Sequence, residues 1–353
     1  MTLPKTMSGI ATLGHGGPEM LQWQTDLPVP TAGPTEVVIK VAAAAVNNTD
    51  INTRVGWYSK SVTGATDAVS DTNDDDGGWS GIPLQFPIIQ GADCCGYIVA
   101  VGANVDAARI GERVIVRTMQ STGTHGAPFM TDTFGSEYNG GFAQYTKTFA
   151  AEAYAVNDTL LDAEWAAIPC AFSTAENMLQ RASVSGESVL ITGASGGVGA
   201  AAVQLARLRG ADVWAMTQPT KADAVTALGA DHIVARDAPL PTRQFDVVID
   251  LVGGPAWPAL LDSLKRGGRY VTAGAIAGPI VDLDLRTLYL NDLTLFGSTF
   301  QPTSVFGDLI GYVQAGKLRP HIAANYDLQD IHAAQAAFNA KTHVGKITLT
   351  VPQ

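Results

Sequence analysis

Cysteine is scarce: the chain of 353 residues has three, two adjacent at Cys94 and Cys95 and one at Cys170. That number and spacing exclude a disulfide framework and a Cys-x-x-Cys metal site, and leave the three as core residues. Cations are few as well, 22 Lys and Arg against 33 Asp and Glu, for a formal charge of −11. This argues against nucleic acid or an anionic membrane as a partner, because both require basic surface. Any anionic small molecule must then be bound locally. No apolar run approaches the ~20 residues needed to span a bilayer. The start, Met1-Thr2-Leu3-Pro4-Lys5, has no apolar core of signal-peptide length. A cytoplasmic location is the expectation.

What is present suffices for two packed domains, with 46% hydrophobic residues. From Gly9 to Ile115 the texture is β-rich, with short strands expected at Glu36 to Val41, Gly96 to Val101 and Arg113 to Val116 between Gly and Pro turns. Near Val156 it changes to a helix, Asp162 to Ala182. Alternating strands and helices follow, the strands at Val189 to Thr192, Val213 to Met216, His232 to Val234, Phe245 to Leu251, Gly268 to Ala273 and Leu293 to Gly297. Six such strands suit a doubly wound parallel sheet, so the expected fold class is α/β. The expected division is a β-rich domain over 1–155, an α/β domain over 156–300, and a tail over 301–353 that returns to the first domain. That tail has helices around Thr303 to Ala315 and Leu328 to Asn339, then a closing strand Lys346 to Val351.

The most informative run is Val189-Leu190-Ile191-Thr192-Gly193-Ala194-Ser195-Gly196-Gly197-Val198-Gly199, an apolar strand that delivers a small-residue loop into a helix, Ala200 to Leu208. A pyrophosphate needs backbone N–H groups at close range and the positive end of a helix, and side chains are nearly absent at Ala194, Gly196 and Gly199. Glycine-rich turns also join strands to helices for packing reasons alone. Asp212 to Met216 then completes a βαβ unit. An NAD-specific site would place an acid at the end of that second strand. Here stand Thr217-Gln218-Pro219-Thr220-Lys221, with no acid and one cation, so NADPH is the expected cofactor. Lys221 also reads as a solvated residue in the first turn of the next helix, and both readings stand at this point.

Ser59 to Gly81 is rich in Ser, Thr, Asp and Gly and contributes little to a core; it reads as an insertion or lid. Its Asp71-Thr72-Asn73-Asp74-Asp75 run imitates a calcium loop. Asp76 stands where that loop needs Gly, and Ile82 where it needs a bidentate Glu, so calcium is rejected.

Taken together, Asn47-Asn48-Thr49-Asp50 after an apolar strand, Gly91-Ala92-Asp93-Cys94-Cys95-Gly96, Gly111-Glu112-Arg113-Val114, the Ala194 to Gly199 loop and the closing Gly345-Lys346-Ile347 resemble the medium-chain dehydrogenase/reductase superfamily. Nearly the whole chain is covered. It is most similar to the zinc-free branch of quinone oxidoreductases and enoyl reductases, in which an alanine replaces the first glycine of the fingerprint. The resemblance implies a Rossmann domain joined to a GroES-like catalytic domain. It also implies a cofactor-phosphate lysine at Lys221. The length of the Ser59 to Gly81 insertion departs from the usual pattern. In zinc alcohol dehydrogenases a Cys, a His and a Cys hold the catalytic metal, and the matching positions here are Asn47, Ala92 and Cys170. One soft ligand remains where three are needed, so no metal is expected. His125 reads as a solvated loop histidine rather than a ligand.

Without a metal, hydrogen-bond donors must polarise the substrate oxygen. The resemblance implies that Asn47, Asp50 and Thr174 organise this chemistry; Asp50 also reads as an Asx-type cap for the helix near Ile51, and Thr174 as a helix-packing residue. Tyr58, in Gly56-Trp57-Tyr58, matches the catalytic tyrosine of enoyl thioester reductases. With an ordinary pKa near ~10 its phenol stays protonated at neutral pH. A packed aromatic at a domain cleft is the competing reading. The expected activity is NADPH-dependent, zinc-independent hydride transfer to a quinone or an α,β-unsaturated carbonyl compound. Two alternatives are an alcohol dehydrogenase or carbonyl reductase of the same superfamily, and an NADPH-binding protein with a structural or regulatory role. A homodimer is expected because the apolar strand Leu293 to Gly297 would otherwise expose an edge of the cofactor sheet.

Overall fold

The computed structural model describes residues 3–66, 77–79, 81, 83–123 and 129–353. The Asp71 to Asp75 run and His125 lie outside the described residues. Two sheets dominate. The first has seven strands, in the order Ala153–Ala155, Arg113–Val116, Asp93–Val101, Glu36–Ala45, Lys346–Thr350, Ile322–Asp327, with Tyr145–Phe149 also pairing to Glu36–Ala45. Its middle strand, Glu-Val-Val-Ile-Lys-Val followed by four alanines, carries wholly buried Val37, Val38, Ile39, Val41, Ala44 and Ala45. The closing strand lies antiparallel beside those alanines, Thr348 opposite Ala45 and Thr350 opposite Ala43, so the tail rejoins the first sheet.

The second sheet is parallel throughout, ordered His232–Ala235, Asp212–Thr217, Ser188–Ile191, Phe245–Asp250, Leu264–Thr272, Thr294–Gly297. Strand order reverses beside Ser188–Ile191. That strand feeds the helix Gly197–Leu208, and the carboxyl end at such a reversal is where open α/β sheets hold ligands. All six expected strands are present.

The expected single helix Asp162 to Ala182 is two, Asp162–Ala166 and Pro169–Arg181. Proline cannot continue a helix from within, but is well placed at a first turn, so Pro169 restarts the chain in a new direction. The break sends Trp165 and Ile168 into an apolar core shared by both sheets, where Ala43, Cys95 and Ile115 of the first meet Val189, Ile191 and Val247 of the second.

A buried ion pair fixes the remaining boundary. Arg117 and Glu152 side chains are 0% and 1% exposed and meet at 2.6 Å. Arg117 Nη1 donates to the Gln301 carbonyl at 3.0 Å, and Glu152 Oε1 accepts from Ser121 N, Thr122 N and Thr122 Oγ1. One pair thus ties a loop of the first domain to the chain leaving the second. Removing one member would strand a charge without solvent. Glu152→Ala should therefore destabilise the protein by about 3 to 5 kcal/mol in urea denaturation, whereas a loss under about 1 kcal/mol would mean that water replaces the carboxylate.

Candidate active site

The strand Glu36–Ala45 ends at Asn47, which caps the helix Asn48–Val55. Asp50 closes the cap: its Oδ2 accepts Asn47 N–H at 2.7 Å, and its Oδ1 reaches across to Ala92 N at 3.0 Å. The helix thus starts at Asn48 rather than near Ile51, and Asp50 is not its N-cap but lies inside its first turn, where the same contacts tie the turn to the Gly91–Asp93 loop. Burial pushes the Asp50 carboxyl up to about 7, and the nearby Asp93 carboxylate adds to this; the two N–H donors and Lys346 oppose it.

Asn47 is engaged at both ends of its amide. Nδ2 donates to Asp93 Oδ2 at 2.7 Å, and Oδ1 accepts from Lys346 Nζ at 2.5 Å. Lys346 Nζ also donates to Asp93 Oδ2 at 2.9 Å and to the Val46 carbonyl at 3.2 Å. Asp93 Oδ1 accepts Cys170 N–H at 2.7 Å. Asp93, at 0% exposure, is thus the anchor of the cluster, and the sequence had marked it only as part of a motif. A buried acid in a small-residue Gly-Ala-Asp turn was the available signal. Thr174 Oγ1 donates to the Cys170 carbonyl at 2.7 Å, a bond within its own helix and not to Asn47. Burial, reinforced by Asp93, pushes the Cys170 thiol up, so it stays protonated.

Gly56, with φ of 71°, ends the helix in the left-handed conformation and turns Trp57 and Tyr58 back along it. Glycine reaches this region without the Cβ penalty that other residues meet. Tyr58 OH then donates to Thr49 Oγ1 at 3.1 Å, and its ring meets Trp79 edge-on at 4.7 Å. Burial raises the phenol pKa, with Cys170 and Asp50 adding to the shift. Tyr58 is therefore both packed and protonated, and lies within the electrostatic reach of the Asn47–Asp50 turn.

The glycine loop has three distinct steric demands. A Cβ on Gly199 would lie 2.2 Å from the Gly193 carbonyl oxygen, so this glycine serves loop-to-helix packing. Gly196 faces open space apart from that same oxygen at 3.4 Å, which leaves a ligand room to approach the backbone. A Cβ on Gly197 would meet Lys346 Cδ at 2.8 Å. Ala194 N–H closes onto the Met216 carbonyl, and Ser195 O accepts Gly345 N–H at 2.9 Å. Val198 and Gly199 continue the first turn of Gly197–Leu208, whose leading N–H groups have no acceptor within the helix. The floor of the crevice is set by Asp250, buried at 0%, which accepts from Thr192 Oγ1 at 2.6 Å, Tyr270 OH at 2.5 Å and Val252 N at 3.0 Å.

At the end of the second strand, Thr217 is 1% exposed and its hydroxyl has no hydrogen-bond partner among the described residues. Lys221 is not solvated: it is 6% exposed and its ammonium donates to the Lys341 carbonyl at 2.5 Å. Lys341 Nζ lies 3.7 Å over the Phe338 ring, which the His343 ring also meets at 5.6 Å. Burial, with the Lys341, Lys221 and Lys346 ammonium groups, holds His343 down to about 4. A local concentration of positive charge thus exists in a chain of net charge −11.

Of the insertion, Ser59 to Thr66 bridges the two domains. Trp57 Nε1 donates to the Gly64 carbonyl at 3.2 Å and Thr66 N to the Ile276 carbonyl at 3.2 Å. Between Thr63–Ala65 and the Gly254, Pro255, Gly278 and Ile280 backbone lies a cavity of about 410 Å³.

Comparison with known proteins agrees with this architecture. Residues 33–158 match the alcohol dehydrogenase GroES-like domain, and residues 197–314 match the zinc-binding dehydrogenase domain. A crystal structure from Sinorhizobium meliloti, described provisionally as an alcohol dehydrogenase, is 43% identical, with alignment over 99% of this chain and 98% of that one and a TM-score of 0.89. The acryloyl-coenzyme A reductase of Sulfurisphaera tokodaii is 27% identical over 94% of this chain and 97% of its own. The quinone oxidoreductase of Lama guanicoe is 28% identical over 98% of both. With a GroES-like domain, a parallel dinucleotide-binding sheet and relatives aligned end to end, the chain is an oxidoreductase of the medium-chain dehydrogenase/reductase superfamily, which binds a nicotinamide cofactor.

Proposed function

We propose that this protein is an NADPH-dependent, metal-independent reductase that delivers hydride to an activated double bond, in an α,β-unsaturated carbonyl compound or a quinone. The observation that carries the reading is Tyr58: a half-buried side chain whose phenol is held in its protonated form and hydrogen-bonded into the turn that bears Asn47 and Asp50. In this structure that proton is donated to Thr49 Oγ1, so it reaches an oxygen or carbon that gains negative charge only when the hydroxyl turns away from Thr49. The acryloyl-coenzyme A reductase and quinone oxidoreductase relatives support the same reaction class.

The donor set does not fit zinc. Asn47 has its amide oxygen committed to Lys346 and Ala92 has no donor, which leaves Cys170 alone where three ligands are needed. Among the described residues no group of three or more His, Cys, Asp or Glu side chains is arranged to hold a metal ion. The reaction is accordingly read without a metal.

NADPH supplies the hydride when bound. Ser195 to Gly199 are suited to hold its pyrophosphate, with Gly196 open to close approach. Thr217 and Lys221 would take the adenosine phosphate, with Lys341 and His343 beside them.

The oligomer is read as a homodimer. Thr294–Gly297 is an edge strand, and the neighbouring Leu285, Tyr289 and Leu290 are 63%, 62% and 54% exposed. Pairing of this edge with a second copy would cover both the unpaired backbone and the apolar side chains.

Light scattering should give twice the chain mass at micromolar concentration; a monomer would contradict the dimer. Lys221→Ala should raise KM for NADPH much more than for NADH, by about 1 to 2 kcal/mol for one charge-assisted contact. Equal effects on both cofactors would place Lys221 away from the phosphate. The proposed function itself is tested by NADPH consumption with enones and quinones, set against NADP reduction by simple alcohols. Tyr58→Phe should lower kcat with the former by about 10-fold to 1000-fold and leave NADPH affinity nearly unchanged, since a contact made only in the transition state appears in kcat. A wild-type rate in the Phe variant would reduce Tyr58 to a packing residue.

A further inference from the structure

The Lys346–Asp93 pair is among the most deeply buried charges of the described protein, with side chains 3% and 0% exposed. Such a pair is poor value as a stabilising device, because the desolvation of two ions cancels much of their attraction and an apolar pair of like volume serves as well. Its geometry suggests a different use. The three N–H bonds of the ammonium are all taken, by Asn47 Oδ1 at 2.5 Å, Asp93 Oδ2 at 2.9 Å and the Val46 carbonyl at 3.2 Å. Lys346 therefore has no proton left to offer a substrate and acts only through what it holds.

What it holds is the direction of the Asn47 amide. An amide has an acceptor end and a donor end, and here a cation takes the first while Asp93 and the Ala45 carbonyl take the second. Turning the amide over would set its NH₂ against an ammonium and its oxygen against a carboxylate. The lysine stem meanwhile lies against Gly197, in the first turn of the helix that follows the glycine loop, and the adjoining Gly345 N–H bonds to Ser195 O of that loop. Gly345 has φ of 82° and a Cβ there would lie 2.2 Å from the His321 carbonyl oxygen, so the strand enters this contact in one conformation only.

We propose that Lys346 is a positioning residue: it sets the orientation of Asn47 and clamps the Asn47–Asp50 turn to the cofactor loop. Gly197 lacks a side chain in order to admit the lysine stem. The proposal rests on the reductase reading for its effect on turnover, and on the fold alone for its effect on the clamp.

The experiment compares wild type, Lys346→Met and a cycle of Gly197→Ala with Lys346→Ala, using steady-state kinetics, NADPH binding by fluorescence and backbone hydrogen exchange. Lys346→Met, folded by circular dichroism, should lose about a hundredfold in kcat while NADPH affinity changes less than about threefold. Exchange should quicken together in Asn47 to Ile51 and in Ser195 to Gly199, a readout that needs no turnover. Gly197→Ala should lower kcat in the wild-type background and cost little once Lys346 is Ala, because the two positions then no longer collide. Methylammonium should restore activity to Lys346→Ala in a saturable manner, and tetramethylammonium should not. A folded Lys346→Met with wild-type kcat, or unchanged exchange in either segment, would overturn the proposal. So would additive effects in the cycle, which remain readable if the Met variant fails to fold. A wild type that turns over neither enones nor quinones would instead contradict the reductase reading and leave the exchange result to decide the clamp.

Discussion

The bond between Lys346 Nζ and Asn47 Oδ1, 2.5 Å long, joins residues 299 positions apart, and the organisation of the cleft depends on it. Through Lys346 the closing strand reaches the end of Glu36–Ala45. Through Asp93 the same cluster reaches the loop before Asp93–Val101 and the first turn of Pro169–Arg181. Gly345 and the lysine stem complete the connection to the glycine loop. The ammonium joins the closing strand to the Asn47 turn and to Asp93, Asp93 extends the cluster to Pro169–Arg181, and the lysine stem and Gly345 extend it to the glycine loop.

Burial sets the protonation of the surrounding groups, and the sign of each shift suits the chemistry proposed. Tyr58 and Cys170 are held protonated, Asp50 is pushed up to about 7, and His343 is held down to about 4. A phenol that keeps its proton remains a donor. The cationic pocket by Lys221 is local, and the rest of the surface stays acidic. A single anionic cofactor can thus be attracted without a general affinity for polyanions.

Much of this was legible because local chemistry and tertiary structure agree. The six parallel strands follow from short apolar runs between glycine turns, and the glycine loop from its position between strand and helix. A cap was legible at Asp50, but for a helix near Ile51; the helix starts three residues earlier, with Asn47 as its cap and Asp50 in its first turn. The clamp was not legible: Gly345-Lys346-Ile347 marks a motif, but nothing near it in sequence says that its ammonium meets Asn47 and Asp93. Gly197 read as part of a cofactor loop, and only the folded chain shows that a lysine stem uses its missing Cβ. The break before Pro169 was available in principle, since proline resists the helix interior, but apolar residues on both sides make one continuous helical pattern. Lys221 was divided between solvent and ligand, and its burial against the Lys341 carbonyl needed a contact across 120 positions.

The central claim is that hydride passes from NADPH to an activated carbon or quinone without a metal. The most direct measurement is mass spectrometry of the product formed from an enone and NADPH carrying deuterium at both positions of nicotinamide C4, with protein stripped by a strong chelator and verified free of zinc. The account predicts one deuterium at the β-carbon of the reduced product, formed at the rate of the untreated protein. Product without deuterium, or deuterium transfer that returns only when zinc is added back, would contradict it.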